Sequence, residues 1–272
     1  MSPAQRFTQL APCGRRRTIV LGAMCFPAVA KALRLPELIR VAKPAVAAIG
    51  TFNALDSPRF SFRGTGFFVG DGTSFVTCRH VLPDASPDGR DPLERLAVVL
   101  PRADGAHETR PATLIASHRG HDLAVLRVSG APNPTLTLSA GPMAAEGTDV
   151  ALVGFPLGGA LGLRHVTHRG IVASVVASSL PAASARQLQE STASRLREGS
   201  FELLQLDVVS YPGNSGGPLL DIATGHVVGV LNMALLKGQR ESALSQPTGI
   251  SYAIPVRYLH ELLSQPPTAQ TR

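Results

Sequence analysis

One segment of the sequence, Tyr211–Leu220, has the composition of a loop that presents a nucleophile. It places Ser215 between Gly213 and the Gly216-Gly217 pair, ahead of an apolar strand. Glycine permits the tight backbone on which the amides of Gly213 and Ser215 converge. Two such N–H groups can stabilise a developing oxyanion, at about 2.7–4 kcal/mol per donor in enzymes. Taken alone, such a segment is more often a glycine-rich turn without chemistry.

A serine hydroxyl acts as a nucleophile only beside a base, and the sequence contains one candidate base with a carboxylate to orient it. His80 follows a short apolar strand, and Asp122 directly precedes another. A neutral imidazole can accept a proton near neutral pH, and a carboxylate can fix its tautomer. The order along the chain is His, Asp, Ser, which differs from the Ser, acid, His order of α/β-hydrolases. We therefore expect one site formed by His80, Asp122 and Ser215.

Short apolar segments, which would position these residues, follow one another from Pro44 onward. Gly, Pro and Asp separate them, and no helical pattern lies between them, so we expect an all-β barrel or sandwich. The stretch 132–147, which is rich in Pro, Ala and Thr, divides the strands into two groups at about 44–131 and 148–254. A short helix is expected over Pro255–Leu263, and a loop insertion over 178–199. The predicted strands are Ala45–Phe52, Gly64–Val69, Ser74–Cys78, Leu96–Leu100, Ala112–Ser117, Leu123–Val128, Asp149–Gly154, Val166–Ala177, Glu202–Val208, Gly225–Met233 and Gly249–Ile254.

The charge of the chain is concentrated at its N-terminus. The formal net charge is +7, and residues 1–43 carry the whole excess. Three arginines, Arg15–Arg17, precede an apolar run over 18–30 that ends in Ala28-Val29-Ala30. This run is shorter than the roughly 20 residues that cross a bilayer, and it fits a secretory leader over residues 1–30. We expect export to the periplasm or the extracellular space, and no nucleic-acid partner; the alternative is a cytoplasmic protein with a disordered leader.

Composition excludes several classes of protein. Hydrophobic residues make up 44% and charged residues 17% of the 272 residues, which excludes a chain disordered by composition. Trp is absent and aromatic residues are 5%, which argues against base-stacking platforms for single-stranded nucleic acid. The three cysteines form no CxxC motif or cluster with zinc spacing. The cysteines therefore indicate no zinc site.

Considered together, six segments resemble the trypsin-like serine proteases, and most closely their high-temperature-requirement (HtrA or Deg-type) branch. They span nearly all of the chain after the leader. The segments are Gly64–Val69, Val76–Val81, Asp122–Val128, Gly154–Gly158, Pro212–Leu219 and Gly249–Pro255.

The resemblance implies a fold and a mechanism. It implies two antiparallel six-stranded β-barrels with a cleft between them, followed by the short C-terminal helix. Ser215 would attack the peptide carbonyl, His80 would transfer the proton and Asp122 would orient the imidazole. The amides of Gly213 and Ser215, in a loop that includes Asn214, would form the oxyanion hole. The resemblance requires no metal or cofactor, and trimer formation is common in the branch.

The resemblance also locates a primary specificity pocket. Its wall would include Val209 and Ser210, together with Leu231, Asn232 and Met233 on a neighbouring strand. None of these residues is acidic, so a basic substrate side chain would be desolvated without a partner. We expect cleavage after small or medium aliphatic residues.

The sequence is thus expected to comprise a leader (1–30), one protease domain (31–264) and a disordered tail (265–272), with no stable membrane span after leader removal and no PDZ module. The expected activity is hydrolysis of unfolded or extended polypeptides, in protein quality control or processing. The alternative is a catalytically latent module of the same fold that binds extended polypeptide along its cleft edge.

Overall fold

The chain forms two closed antiparallel β-barrels, which confirms the predicted fold class. The computed structural model describes residues 34–83, 93–102, 105–158, 162–178, 201–232 and 249–265. Four predictions therefore lie wholly or largely outside the described residues: the leader, the 178–199 loop, Met233 and the C-terminal tail. Within the described part of the chain, no helix has the length and apolar character needed to cross a membrane.

The first barrel contains six strands in the order β1-β2-β3-β6-β5-β4. Strand β3 pairs with β6 so that Cys78 lies opposite Leu123. This pairing brings the end of β3, which precedes His80, beside the start of β6, which follows Asp122. The strands are β1 (Val46–Phe52), β2 (Phe60–Val69), β3 (Ser74–Cys78), β4 (Arg95–Pro101), β5 (His107–His118) and β6 (Leu123–Val128).

The second barrel has the order β10-β11-β12-β9-β8-β7. Strand β10 is the apolar strand expected after the serine segment. It pairs with β7 on one side and β11 on the other, so the serine loop enters the barrel wall directly. The strands are β7 (Asp149–Gly154), β8 (Val166–Ala177), β9 (Glu202–Asp207), β10 (Pro218–Asp221), β11 (Val227–Leu231) and β12 (Ile250–Pro255).

Two strands extend beyond their predicted bounds because one of their faces is exposed to solvent. Strand β2 begins at Phe60, where Phe60 and Phe62 are half-buried and Ser61 and Arg63 are exposed. Strand β5 begins at His107 and alternates exposed and half-buried residues through its first half. Polar residues on the outer face interrupt the apolar run that the prediction followed, although alternation with a period of two is itself typical of a strand.

Among the described residues, two α-helices flank the barrels. Helix α1 (Leu35–Ala42) was not predicted from the sequence; it has Pro36 in its first turn and buries Leu38 and Ala42. A 3₁₀ turn, Lys43–Ala45, connects it to β1. Helix α2 (Val256–Ser264) follows β12 and begins one residue after the predicted start. It buries Val256, Leu259 and Leu262, whereas Leu263, which was expected on the same apolar face, is 39% exposed. The largest buried cluster includes side chains of α1, α2 and both barrels, so the barrels share one continuous core.

Candidate active site

His80 and Asp122 lie together at one end of the first barrel. A 3₁₀ turn, Arg79–Val81, follows β3 and carries His80. Its Nδ1 is 2.6 Å from Oδ2 of Asp122, and its backbone N–H donates to Oδ1 over 2.8 Å. Both carboxylate oxygens of Asp122 therefore bind the same histidine, which fixes the imidazole in one orientation. With Nδ1 turned toward Asp122, Nε2 is the ring nitrogen left to act on a substrate or nucleophile.

Asn232, which follows β11 in the second barrel, makes a further contact with this carboxylate. Its Nδ2 donates to Oδ2 of Asp122 over 2.7 Å, and the residue is 1% exposed. The sequence predicted Asn232 as part of the specificity pocket, whereas its side-chain amide lies on Asp122. An N–H donor to a carboxylate stabilises the ionised form. Asn232 thus joins the second barrel to the His80–Asp122 pair of the first.

Replacing Asn232 with alanine is expected to lower kcat by about tenfold, because a hydrogen bond to a charged group contributes about 1.5–3 kcal/mol. The rate is measured on a chromogenic peptide. Asn133→Ala is the matched control, since Asn133 is a half-buried asparagine of the first barrel that bonds to the carbonyl of Gly72. An Asn232→Ala enzyme as fast as the Asn133→Ala enzyme contradicts this role.

Cys78 is a third potential metal ligand near His80 and Asp122. One donor atom each of Cys78, His80 and Asp122 lies within 4.8 Å of the others. The thiol, however, is buried and donates to the carbonyl of Leu231 over 3.2 Å. Burial, and secondarily the Asp122 carboxylate, raises the pKa of the Cys78 thiol well above its ordinary value. A neutral thiol is a poor metal ligand, so the arrangement favours proton transfer over metal binding.

Ser215 lies in a loop of the second barrel that packs directly on the first. Its carbonyl accepts from the backbone N–H of Thr65 over 2.9 Å, and the residue is 5% exposed. The next residue, Gly216, has φ +86° and no room for a side chain: a Cβ there would lie 2.2 Å from the carbonyl oxygen of Thr65 and 3.0 Å from the amide nitrogen of Cys78. The serine loop therefore touches the end of β3, two residues before His80.

The backbone around Gly213 is held on both sides. The carbonyl of Pro212 accepts from the N–H of Leu157 over 2.7 Å, and the carbonyl of Gly213 accepts from Oγ1 of Thr65 over 2.6 Å. In a trans peptide the N–H points opposite to the preceding carbonyl, so the amide of Gly213 is directed away from Leu157. It finds no acceptor in the described part of the chain, as an oxyanion donor requires.

Thr65 and Leu157, which hold the backbone around Gly213, were not identified as site residues in the sequence. Thr65 is fully buried, and its hydroxyl also accepts from the N–H of Phe155 over 3.1 Å. It therefore binds one residue of the Gly213 loop and one residue beyond β7. Leu157 has φ +50°, a left-handed backbone that L-residues rarely adopt. Both residues lie in segments that carry the family resemblance, Gly64–Val69 and Gly154–Gly158. The role of Thr65 arises from a contact between the barrels, and that of Leu157 from a contact within the second barrel.

Asn214 contributes to the packing of this loop. Its backbone N–H donates to the carbonyl of Tyr211 over 3.0 Å, which leaves Gly213 and Ser215 as the predicted amide donors. The side chain is fully buried next to Gly154, where a Cβ would lie 2.6 Å from Oδ1 of Asn214. Neither atom of the side-chain amide has a hydrogen-bond partner among the described residues.

The predicted pocket residues have different environments. Val209 is 40% exposed, whereas Ser210 is buried, and its hydroxyl lies 2.6 Å from that of Ser251. The Ser251 hydroxyl donates in turn to the carbonyl of Val208. Leu231 is fully buried, and its carbonyl accepts from Gly216 and Cys78. Of the predicted pocket residues that the structure describes, Val209 is the one with a substantially exposed side chain.

Comparison with known proteins connects this geometry to a family. A family model described as the trypsin-like peptidase domain matches residues 64–230. A protein of Pseudomonas fluorescens, named as a probable periplasmic serine endoprotease DegP-like, is 29% identical over 202 residues, which are 74% of this chain and 34% of that protein. The Arabidopsis thaliana protein named Protease Do-like 1, chloroplastic is 29% identical over 218 residues, 79% of this chain and 41% of that protein.

Solved structures show the same fold. The serine endoprotease from Yersinia pestis superposes with a TM-score of 0.56 at 22% identity, covering 83% of this chain and 64% of that one. At this identity the similarity concerns the fold alone. The chain spans about a third of the length of the DegP-like relative from Pseudomonas fluorescens.

Proposed function

The chain belongs to the trypsin-like peptidase domain family, and on this premise we propose that it is a serine endopeptidase. The observation that carries the proposal is the contact between His80 and Asp122, in which both carboxylate oxygens bind the histidine at 2.6 and 2.8 Å. A histidine whose Nδ1 is hydrogen-bonded to a carboxylate, beside a glycine-rich serine loop, is the arrangement that makes a hydroxyl nucleophilic.

In the first half of the proposed reaction, Ser215 is acylated. Its Oγ attacks the peptide carbonyl carbon while Nε2 of His80 takes the hydroxyl proton. The negative charge that develops on the carbonyl oxygen is stabilised by the amides of Gly213 and Ser215. The carbon–nitrogen bond then breaks, and His80 gives its proton to the departing amine. Asp122 remains ionised and stabilises the imidazolium formed in between.

In the second half, water releases the acyl group. His80 accepts a proton from water as the water oxygen attacks the ester carbon. The same two amides stabilise the second oxyanion, and the Ser215 oxygen leaves and recovers its proton from His80. The cycle consumes one water per peptide bond, and this proposal requires no metal or organic cofactor.

The proposed substrates are unfolded or extended polypeptides, cleaved in protein quality control or processing. Support comes from relatives named as DegP-like endoproteases. Export is proposed from the charged N-terminus and from the word periplasmic in the names of those relatives.

The proposed specificity is for small or medium aliphatic residues before the cleaved bond, because the predicted wall at Val209 and Ser210 carries no acid. A peptide library profile is expected to rank Ala, Val and similar side chains above Lys and Arg. Val209→Asp is expected to raise cleavage after Lys or Arg by about tenfold or more, since it supplies the missing counter-charge. Val41→Asp is the control, because Val41 is an exposed valine of α1. A wild-type profile dominated by Lys or Arg contradicts this specificity.

The experiment that tests the function is digestion of casein and of a reduced, unfolded protein by the full chain. We expect fragments that accumulate with time, and none above background with Ser215→Ala or His80→Ala. Asp71→Ala serves as the control, because Asp71 is an exposed acid that binds Arg127 at the surface. Fragments that appear equally with Ser215→Ala would show that a contaminant or another site is responsible.

A further inference from the structure

Two histidines stack on each other just before Asp122: His118 is the last residue of β5, and His121 lies in the turn between β5 and β6. The ring centroids of His118 and His121 are 4.2 Å apart, and the rings are inclined by 18°. The backbone N–H of His121 donates to Nδ1 of the His118 ring over 3.0 Å. The N–H of Asp122 donates to the carbonyl of Arg119 over 3.1 Å. The His118 ring thus serves as a side-chain acceptor that closes the turn.

This turn must hold Asp122 in an unfavourable backbone conformation. Asp122 has φ +54°, a left-handed backbone that is uncommon in L-residues although Asp tolerates it better than most, and the surroundings must hold it. The same conformation directs the carboxylate toward both the N–H and the ring of His80. Loss of the His118 contact would release one of the hydrogen bonds that impose it.

The hydrogen bond from His121 determines which ring nitrogen of neutral His118 carries the proton. Nδ1 can accept from the N–H of His121 only while Nδ1 carries no proton, so the neutral ring must carry its hydrogen on Nε2. Protonation of Nδ1 would place two N–H groups opposite each other and break the bond. Histidine is the side chain that changes charge between about pH 5 and 8. The turn therefore has a hydrogen bond that acid can remove.

The groups around the two stacked histidines offer little compensation for a positive charge on His118. The His121 ring packs 4.2 Å from the Tyr258 ring of α2 and 4.9 Å from Phe201, which precedes β9. Arg257 lies over the Tyr258 ring, and its guanidinium is paired with Glu202. Arg119, within the turn, is exposed. The titratable and charged neighbours are thus His121, Tyr258, Arg257, Glu202, Arg119 and Asp122, and the Glu202 carboxylate is already engaged by Arg257.

We propose that His118 is a positioning residue for Asp122, acting through its neutral Nδ1, and that protonation of this nitrogen lowers the activity by loosening the turn. The proposal rests on the proposed function, because Asp122 needs its orientation only if it serves His80. His118 does not touch the reacting atoms; its effect reaches them through the backbone of His121 and Asp122.

The test compares two substitutions of His118. In His118→Asn, Oδ1 occupies the place of Nδ1 at the same distance along the side chain and accepts a hydrogen bond without titrating. His118→Ala removes the acceptor. We expect His118→Ala to lower kcat by about tenfold with KM nearly unchanged, and His118→Asn to retain kcat within about threefold. On the acid side, kcat/KM of the wild type should fall by up to about tenfold more than that of His118→Asn, because the wild type alone loses the hydrogen-bond acceptor at position 118.

Two results overturn the proposal. One is an active His118→Ala enzyme with the wild-type kcat and acid limb. The other is an Asn variant that loses as much activity as the Ala variant while both unfold at the same temperature. A wild type without activity on any peptide refutes the proposed function instead. In that case, long-range ¹H–¹⁵N spectra of the His118 ring still decide: a proton on Nε2 alone at neutral pH supports the acceptor role of Nδ1, and a proton on Nδ1 overturns it.

Discussion

Replacement of Ser215 by alanine is expected to lower kcat by about 10⁶-fold, the largest effect of any single change in this chain. Without the hydroxyl no acyl-enzyme forms, and the remaining catalysis comes only from the oxyanion donors and from substrate binding. The measurement is kcat and KM on the peptide that the library ranks first, at enzyme concentrations high enough to detect slow turnover. KM is expected to change little, because the Oγ atom contributes to the transition state more than to binding.

The same experiment distinguishes a shared mechanism from independent contributions. His80→Ala is expected to lose about as much as Ser215→Ala, and the double variant no more than either, because the two residues act as one unit. A double variant that loses the product of the two single losses would show that the residues act separately. That result would contradict the triad while leaving the fold unchanged.

Asp122→Asn is expected to lower kcat by about 10⁴-fold with the structure intact. The asparagine amide has nearly the shape of the carboxylate, so the turn and the bond from the His80 N–H can remain. Its NH₂ group, however, donates where Oδ2 accepted. This places a donor against Nδ1 of His80 or forces the ring into the tautomer that holds a proton on Nε2. In that tautomer the histidine cannot accept the Ser215 proton.

The control for Asp122→Asn is the same substitution at Asp149. Asp149 is an exposed acid at the start of β7 that pairs with Arg169 at 3.1 Å. A surface pair of this kind contributes about 0–1 kcal/mol, so Asp149→Asn should change kcat by less than about twofold. An Asp122→Asn enzyme within tenfold of the wild type means that the carboxylate does not set the tautomer of His80.

Four strands, β3, β6, β7 and β8, have the bounds that were predicted from the sequence, and β8 has them although most of its residues are exposed or half-buried. Strands β3 and β6 have the predicted bounds, because Phe75, Val76 and Leu123–Leu126 form apolar runs without a polar outer face. Strands β2 and β5 were predicted too short, since their first residues alternate between solvent and the barrel. Helix α1 was not predicted; its signals are Pro36 in the first turn and an apolar stripe through Leu38 and Ala42.

The candidate catalytic residues could be predicted from the sequence, whereas the contacts of the residues that hold them in place could not. Ser215, His80 and Asp122 are distinguished by residue type, by their places beside apolar strands and by their order along the chain. Asn232 and Thr65 acquire their contacts only when distant segments meet. Asn232 and Asp122 are 110 residues apart, and Thr65 and Gly213 are 148 apart. No local pattern could reveal such partners.

The central claim is that the Ser215 hydroxyl is activated by the His80–Asp122 pair, and labelling with a fluorophosphonate tests it most directly. This reagent forms a covalent bond with activated serines, and mass spectrometry of the digested protein locates the label. We predict one label on Ser215 in the wild type, none on Ser215→Ala, and labelling at least about 10⁴-fold slower in His80→Ala, in the range that loss of a triad member costs. A chain that stays unlabelled while it still binds extended peptide, or a label whose rate is the same without His80, contradicts the claim.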